Sequence, residues 1–158
     1  MKNTTIKYGN LIIMGALSFI SMFILMYMMV DRYANVYLNL NQFYMAGMMT
    51  APMLIIEILL MGSMYPSKII NIFIMFFSLF LLILFIFFIR EQTVISDKEF
   101  LKSMIPHHAS AILMCKKAPI KDPEIKKLCQ TIISSQQSEI DWMKSKISSL
   151  GIDKNTNY

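Results

Sequence analysis

The sequence predicts an all-α protein in two parts: three membrane-crossing helices, then an antiparallel helical hairpin. Three observations carry this. Apolar residues fill 56% of the 158 positions, and the mean hydropathy is +0.52, high for a water-soluble chain. Three apolar runs, 11–30, 43–65 and 69–89, contain one charged residue between them, Glu57. From Arg90 onward the chain turns polar, with eleven of the fifteen Lys and Arg and eight of the ten Asp and Glu.

Each run is long enough to cross a bilayer, since about 20 residues at 1.5 Å per residue span roughly 30 Å of hydrocarbon. Residues 1–10 form a short tail ahead of the first run, with Lys2 and Lys7. The run that follows is longer than the apolar part of a signal peptide, and "YMMVDRYANVY" offers no small-x-small cleavage site, so it is expected to remain as an anchor. Only "PSK" (Pro66 to Lys68) separates the second and third runs, which must therefore turn straight back as a tight hairpin. Three crossings put Lys2, Lys7 and Lys68 on one side and Arg32 and Arg90 on the other. That count favours a cytoplasmic N-terminus and an exported C-terminal part.

The tail, 91–158, reads as two helices. "SDKE" (Ser96 to Glu99) is a capping box, so a helix should begin at about Asp97, with Glu99 reaching back to Ser96, and run to about Lys117. "APIKDPEI" breaks it, and Asp122 followed by Pro123 starts a second helix that Gly151 should end. Apolar residues at three- and four-residue spacing mark one face of each: Leu101, Met104, His108, Ala111, Ile112 and Cys115 on the first, and a stripe from Ile125 through Leu128, Cys129, Ile132, Ile133, Gln136, Glu139, Ile140, Met143 and Ile147 to Leu150 on the second. If Cys115 lies opposite Cys129, His108 falls opposite about Gln136. Two helices alone make a small core, so a homodimer or higher homo-oligomer that completes a four-helix bundle is expected, unless the tail packs against the membrane part. The tail's charge is nearly balanced and its lysines form no run with aromatics, which argues against a nucleic-acid surface. Besides the metal discussed below, the partners expected are the lipid bilayer and a second copy.

"MIPHHASAILMC" (Met104 to Cys115) sets His107 and His108 between Met104 and Met114. Thioethers and imidazoles are soft to borderline ligands that suit Cu(I) and not Mg²⁺ or Ca²⁺. Met104 and His108 are one turn apart, and Pro106, which removes an amide from the helix, should bend it there. Cys115 and Cys129 admit three states: small packed hydrophobes, a disulfide, or thiolate ligands. In the second apolar run Met45, Met49, Met53, Glu57 and Met61 recur every four residues. This stripe is either packing or a membrane path for metal, since a carboxyl at membrane depth points to function by default. Enzyme signatures are missing: Glu99, Glu124 and Glu139 are followed three residues on by Lys102, Lys127 and Trp142, so no Glu-x-x-His di-iron motif exists, and no phosphate loop or Ser/His/Asp set is discernible. The chain is not expected to be an enzyme.

"MIPHHASAILMCKKA", with "DPEIKKLCQTIISSQQSEIDWMKSKI" after it, resembles the bacterial domain-of-unknown-function family 305 over about 100–150. The matching positions are His107, His108, Ala111, Ile112, Met114, Gln136, Glu139, Ile140 and Met143. The resemblance implies a ferritin-like helical arrangement, and kinship with the CopM-like periplasmic members implies binding of Cu(I) or Ag(I), or another soft metal. Met104, His107, His108, Met114 and Met143 form the expected ligand pool, with Gln136 and Glu139 orienting the imidazoles and Cys115 and Cys129 as further possible ligands. Membrane-anchored relatives carry similar Met-rich helices with "APM". The function expected is a membrane-anchored metal-binding protein of copper homeostasis or tolerance. Two alternatives stand beside it: a metal-free oligomerisation module of a membrane complex, and a copper-transport component that uses the Met stripe, as copper uptake channels with three helices do.

Overall fold

The computed structural model describes residues 2–152. Its regular structure is helical: α1 (Lys2–Leu25), α2 (Leu40–Met61), α3 (Lys68–Arg90), α4 (Asp97–Lys117) and α5 (Pro123–Ile152), with short 3-10 turns at Met26–Met29, Tyr33–Asn35 and Gly62–Met64. Three helical segments, Thr5–Met29, Leu40–Met64 and Lys68–Arg90, are long and apolar enough to cross a membrane. The described residues divide into two compact units: 2–26 with 41–94, and 27–40 with 95–152.

In the membrane unit the residues that face outward are apolar. Ile12, Leu60, Ile69 and Phe76 are each largely exposed, which suits a surface whose solvent is hydrocarbon. A helix pairs most of its backbone amides and carbonyls internally, the condition for a lipid-spanning segment, although Pro52 interrupts that ladder in α2. Gly47 lets α2 approach α3: a Cβ there would lie 2.7 Å from Cδ2 of Phe85 and nearer still to two other carbons of that ring. Tyr44 stacks obliquely on Phe88, with ring centroids 5.3 Å apart.

Apart from Thr50 and Ser78, buried in mid-helix, several polar side chains bond at the helix ends. At the α2–α3 turn, the Tyr8 hydroxyl donates to Oδ1 of Asn71 at 2.7 Å and accepts from the Ser67 amide, while Lys7 Nζ donates to the Met64 carbonyl. At the opposite end Asn41 and Gln92 exchange side-chain hydrogen bonds and Tyr44 donates to the Thr93 carbonyl. After α3 the backbone turns through the left-handed region at Gln92 (φ 49°) and Val94 (φ 62°).

The hairpin unit begins as the sequence predicts. Ser96 Oγ accepts from the Glu99 amide and α4 starts at Asp97. Glu99 does not complete the capping box: its carboxylate accepts from Lys102 Nζ at 2.7 Å and from the Leu40 amide at 3.2 Å. Helix α4 runs unbroken through Pro106. Asp122 Oδ1 accepts from the amides of Glu124 and Ile125 and so caps α5, which continues past Gly151 to Ile152.

The core consists of Leu101, Ile105, Ala109 and Ile112 from α4 with Ile140 and Met143 from α5. This face is displaced from the predicted one: Ile105 and Ala109 are enclosed, and Met104, His108 and Ala111 flank them half-buried. The displacement follows from a third wall that the sequence did not reveal, the 27–40 segment. Val30 and Tyr37 pack on the core, and Asn35 is 1% exposed. Asn35 Nδ2 donates to Asp31 Oδ1, Arg32 donates to Asp31 Oδ2 and to Gln137 Oε1, and Gln137 donates to Asp141.

Candidate metal centre

Beside the core, on the flank of α4 next to Ala109 and Ile112, stands a polar group. In the register set by the Cys115–Cys129 bridge, where the Cα atoms are 5.2 Å apart, His108 of α4 falls opposite Gln136 of α5. The His108 side chain is 12% exposed, and its Nδ1 lies 3.1 Å from Oε2 of Glu139, one turn further along α5. That contact is close but not aligned as a hydrogen bond, so Nδ1 of His108 is a buried polar atom without a hydrogen-bond partner, and Oε1 of Gln136 is another. Buried polar atoms are nearly always satisfied; His108 Nδ1 and Gln136 Oε1, like Asn35 Oδ1 and Ser78 Oγ elsewhere, are exceptions among the described residues.

Burial pushes His108 below the usual histidine pKa; Glu139 opposes this and His107 adds to it. The imidazole is thereby held neutral near pH 7, the form that ligates metal. Glu139, half exposed, stands beside Nδ1 and offers a further oxygen atom at the candidate centre.

The expected ligand pool does not gather as a whole. Met104 is half-buried against the core cluster, and Met143 is a member of that cluster, 5% exposed. His107 is exposed and Met114 is 52% exposed. The physical reason is helical geometry: neighbouring residues point about 100° apart, so the rings of His107 and His108, 6.0 Å apart between centroids, cannot both turn to α5. Among the described residues no three His, Cys, Asp or Glu side chains gather as a metal would require. A soft ion fits the donor chemistry of His108 and Met104, and a full coordination set needs thioethers or a second chain.

Of the three states open to the cysteines, the structure has the disulfide. Cys115 and Cys129 are thus not thiolate ligands in this state, because each sulfur's bonding electrons are held in the bridge.

In the membrane unit the Met stripe is not an enclosed path. Met45 and Met53 are half-buried, and Met49 and Met61 are 42% and 40% exposed on the outer surface. Glu57 accepts a hydrogen bond from the Tyr65 hydroxyl at 3.0 Å. Met53 instead lines an open groove of about 500 Å³ with Met14, Met22, Ser18 and Ser21 of α1.

Sequence reasoning missed the whole contribution of 27–40. The one hint was local: "VDRYANVYLN" (Val30 to Asn39) is too rich in aromatic and apolar residues for a bare solvated linker.

The family profile described as "Domain of unknown function (DUF305)" matches residues 90–147, which hold α4 and most of α5. An uncharacterized protein of Acanthamoeba polyphaga mimivirus is 39% identical over 113 residues, 70% of this chain and 72% of that protein. No solved structure matches the chain. With a relative this similar over most of both chains, and with the histidine pair and the Gln136/Glu139 helix inside the matched region, the protein belongs to the DUF305 family.

Proposed function

We propose that the chain is a membrane-anchored protein whose hairpin binds a soft monovalent ion, Cu(I) or Ag(I), in metal homeostasis or tolerance. The observation that supports this best is the pair of unpartnered buried atoms, His108 Nδ1 and Gln136 Oε1, at the level where half-buried Met104 and the Glu139 carboxylate also stand. His108 and Met104 supply the first donors. Met143 joins them by a rotamer change out of the core, as the flexible thioether side chain allows. His107 and Met114, both exposed, serve a second copy of the hairpin, in a dimer that completes a four-helix bundle in the ferritin-like manner. The proposal includes the orientation expected from flanking charge: the N-terminus cytoplasmic and the hairpin exported across a bacterial inner membrane.

Ag(I) needs no reductant and so leaves the disulfide intact. Titrated into the full chain in detergent micelles and followed by calorimetry, it should bind stoichiometrically. His108→Ala with Met104→Leu should abolish this binding, and His107→Ala or Met114→Leu should weaken it less. No uptake by the unmodified chain overturns the proposal.

A second reading, a metal-free interaction module, draws on the exposed apolar side chains of α5: Ile125, Leu128 and Trp142 are 49%, 57% and 62% exposed. Leu128→Glu with Trp142→Glu should then dissolve oligomers in micelles while Ag(I) binding by His108 and Met104 persists. The stripe of α2 is tested apart from both: unchanged copper flux in vesicles carrying Met49→Ala and Glu57→Gln assigns it to packing.

A further inference from the structure

The tip of the hairpin carries chemistry that the metal proposal does not use. Cys115, in the last turn of α4, and Cys129, in the second turn of α5, are half-buried rather than enclosed. Their bond forms one wall of a surface cavity of about 260 Å³, lined otherwise by Ala118, Ile120, Lys126, Gln130 and Ile133. No residue between Ile112 and Ile140 is buried, so no core shields the sulfur atoms.

The charge around them is one-sided. Lys116, Lys117, Lys121, Lys126 and Lys127 are all exposed, against two acids, Asp122 and Glu124, and the Asp122 carboxylate already caps α5. The nucleophile in thiol–disulfide exchange is a thiolate, and the group expelled is another. Nearby ammonium groups stabilise both anions and raise the local concentration of a negatively charged reagent.

We propose that the Cys115–Cys129 disulfide is a thiol-exchange site that accepts a small acidic thiol, of which glutathione is the test case. The incoming thiolate sulfur bonds to one Sγ, the Sγ–Sγ bond breaks, and its electron pair leaves on the other Sγ as a thiolate that takes a proton from water. A second small thiolate attacks the sulfur of the first, releasing the remaining Sγ as a thiolate, which is protonated in turn. Two small thiols are oxidised to their disulfide, and the protein disulfide is reduced to two thiols. The lysines hold the departing thiolates, and the cavity admits the peptide-sized reagent. Exchange frees the tip, which has no core of its own, while the packed base stays folded.

The full chain in detergent micelles is mixed at low salt with glutathione or with neutral 2-mercaptoethanol, adjusted to equal thiolate concentration, and free cysteines are counted over time by alkylation and mass spectrometry. Glutathione should react roughly tenfold faster than the neutral thiol, within the range of electrostatic steering, and salt should erase the difference. Lys126→Glu with Lys127→Glu should bring the ratio to about one, slowing the neutral thiol as well, through the lost support of the departing thiolate, but slowing glutathione more; Lys116→Gln with Lys117→Gln should lower the ratio part of the way. Equal rates in the unmodified chain, a preference that survives the glutamates, or no reduction by millimolar amounts of either thiol overturns the proposal. These outcomes are independent of Ag(I) binding at His108.

Discussion

At the base of the hairpin Ile105, Ile112 and Ile140 are fully enclosed, whereas at its tip Ile125 and Leu128, on the same apolar stripe of α5, stand about half in solvent. The two regions share their helices and differ in what covers them. The base has a third wall, Val30 and Tyr37 from the 27–40 segment. The tip has only the opposite helix, and a pair of helices leaves roughly half of each apolar stripe uncovered. There a covalent bond stands where packing is missing. Periodicity in a sequence therefore identifies which residues seek burial, while the number of walls decides which obtain it.

Four tests break this comparison in order of decreasing effect, the first pairing a substitution at the base with a matched one at the tip. Ile140→Ala at the base should cost about 4 kcal/mol of hairpin stability, the range for a fully buried aliphatic residue, measured by denaturant unfolding of the full chain in micelles with the single Trp142 as probe; Leu128→Ala at the tip should cost under about 0.5 kcal/mol. Cys115→Ser with Cys129→Ser should cost about 3 kcal/mol, the chain-entropy value for a loop of roughly 15 residues, and hydrogen exchange should accelerate at 113–131 while the amides near Ile105 and Ile140 stay protected. Asp122→Ala removes the α5 cap and should cost about 1 kcal/mol, again with faster exchange confined to the tip.

The smallest effect is that of pH. Burial holds His108 below its unfolded pKa, so its neutral form contributes stability that is fully present above about pH 6.5 and declines as pH falls through the folded value. Denaturant midpoints should therefore fall between pH 7.5 and pH 5.5, and His108→Gln should flatten that dependence. The tip, with no histidine, should exchange with little change over the same interval.

Much of the fold could be read from the residues alone because it is local. Ser96 announces α4, Asp122 and Pro123 announce α5, and the apolar runs are long enough to need no tertiary information. What could not be read is non-local. The Glu99 carboxylate has a backbone amide in its own box as an ordinary partner, yet it turns to the amide of Leu40, 59 residues away in sequence. The identity of the buried face shifted by about one residue because Val30 and Tyr37 approach from a direction that two-helix periodicity does not encode. The placement of the candidate residues was legible in part for the same reason: that His108 meets Gln136 and Glu139 follows from antiparallel register, while which of the two histidines turns to α5 depends on the flank of α4 that the third wall leaves open. The cysteines fitted three states in the sequence, and only the register of the two helices selects among them.

Segment 27–40 is synthesised more than fifty residues before α4 begins, yet its partners lie in the hairpin. The water-facing body is therefore discontinuous along the chain, with α2 and α3 inserted into it. Cutting at position 90 yields two helices deprived of a wall rather than an autonomous domain. A soluble version would need Leu40 joined directly to Ile95 by a short linker, so that the earliest and latest parts of that body ripen together without a bilayer between them.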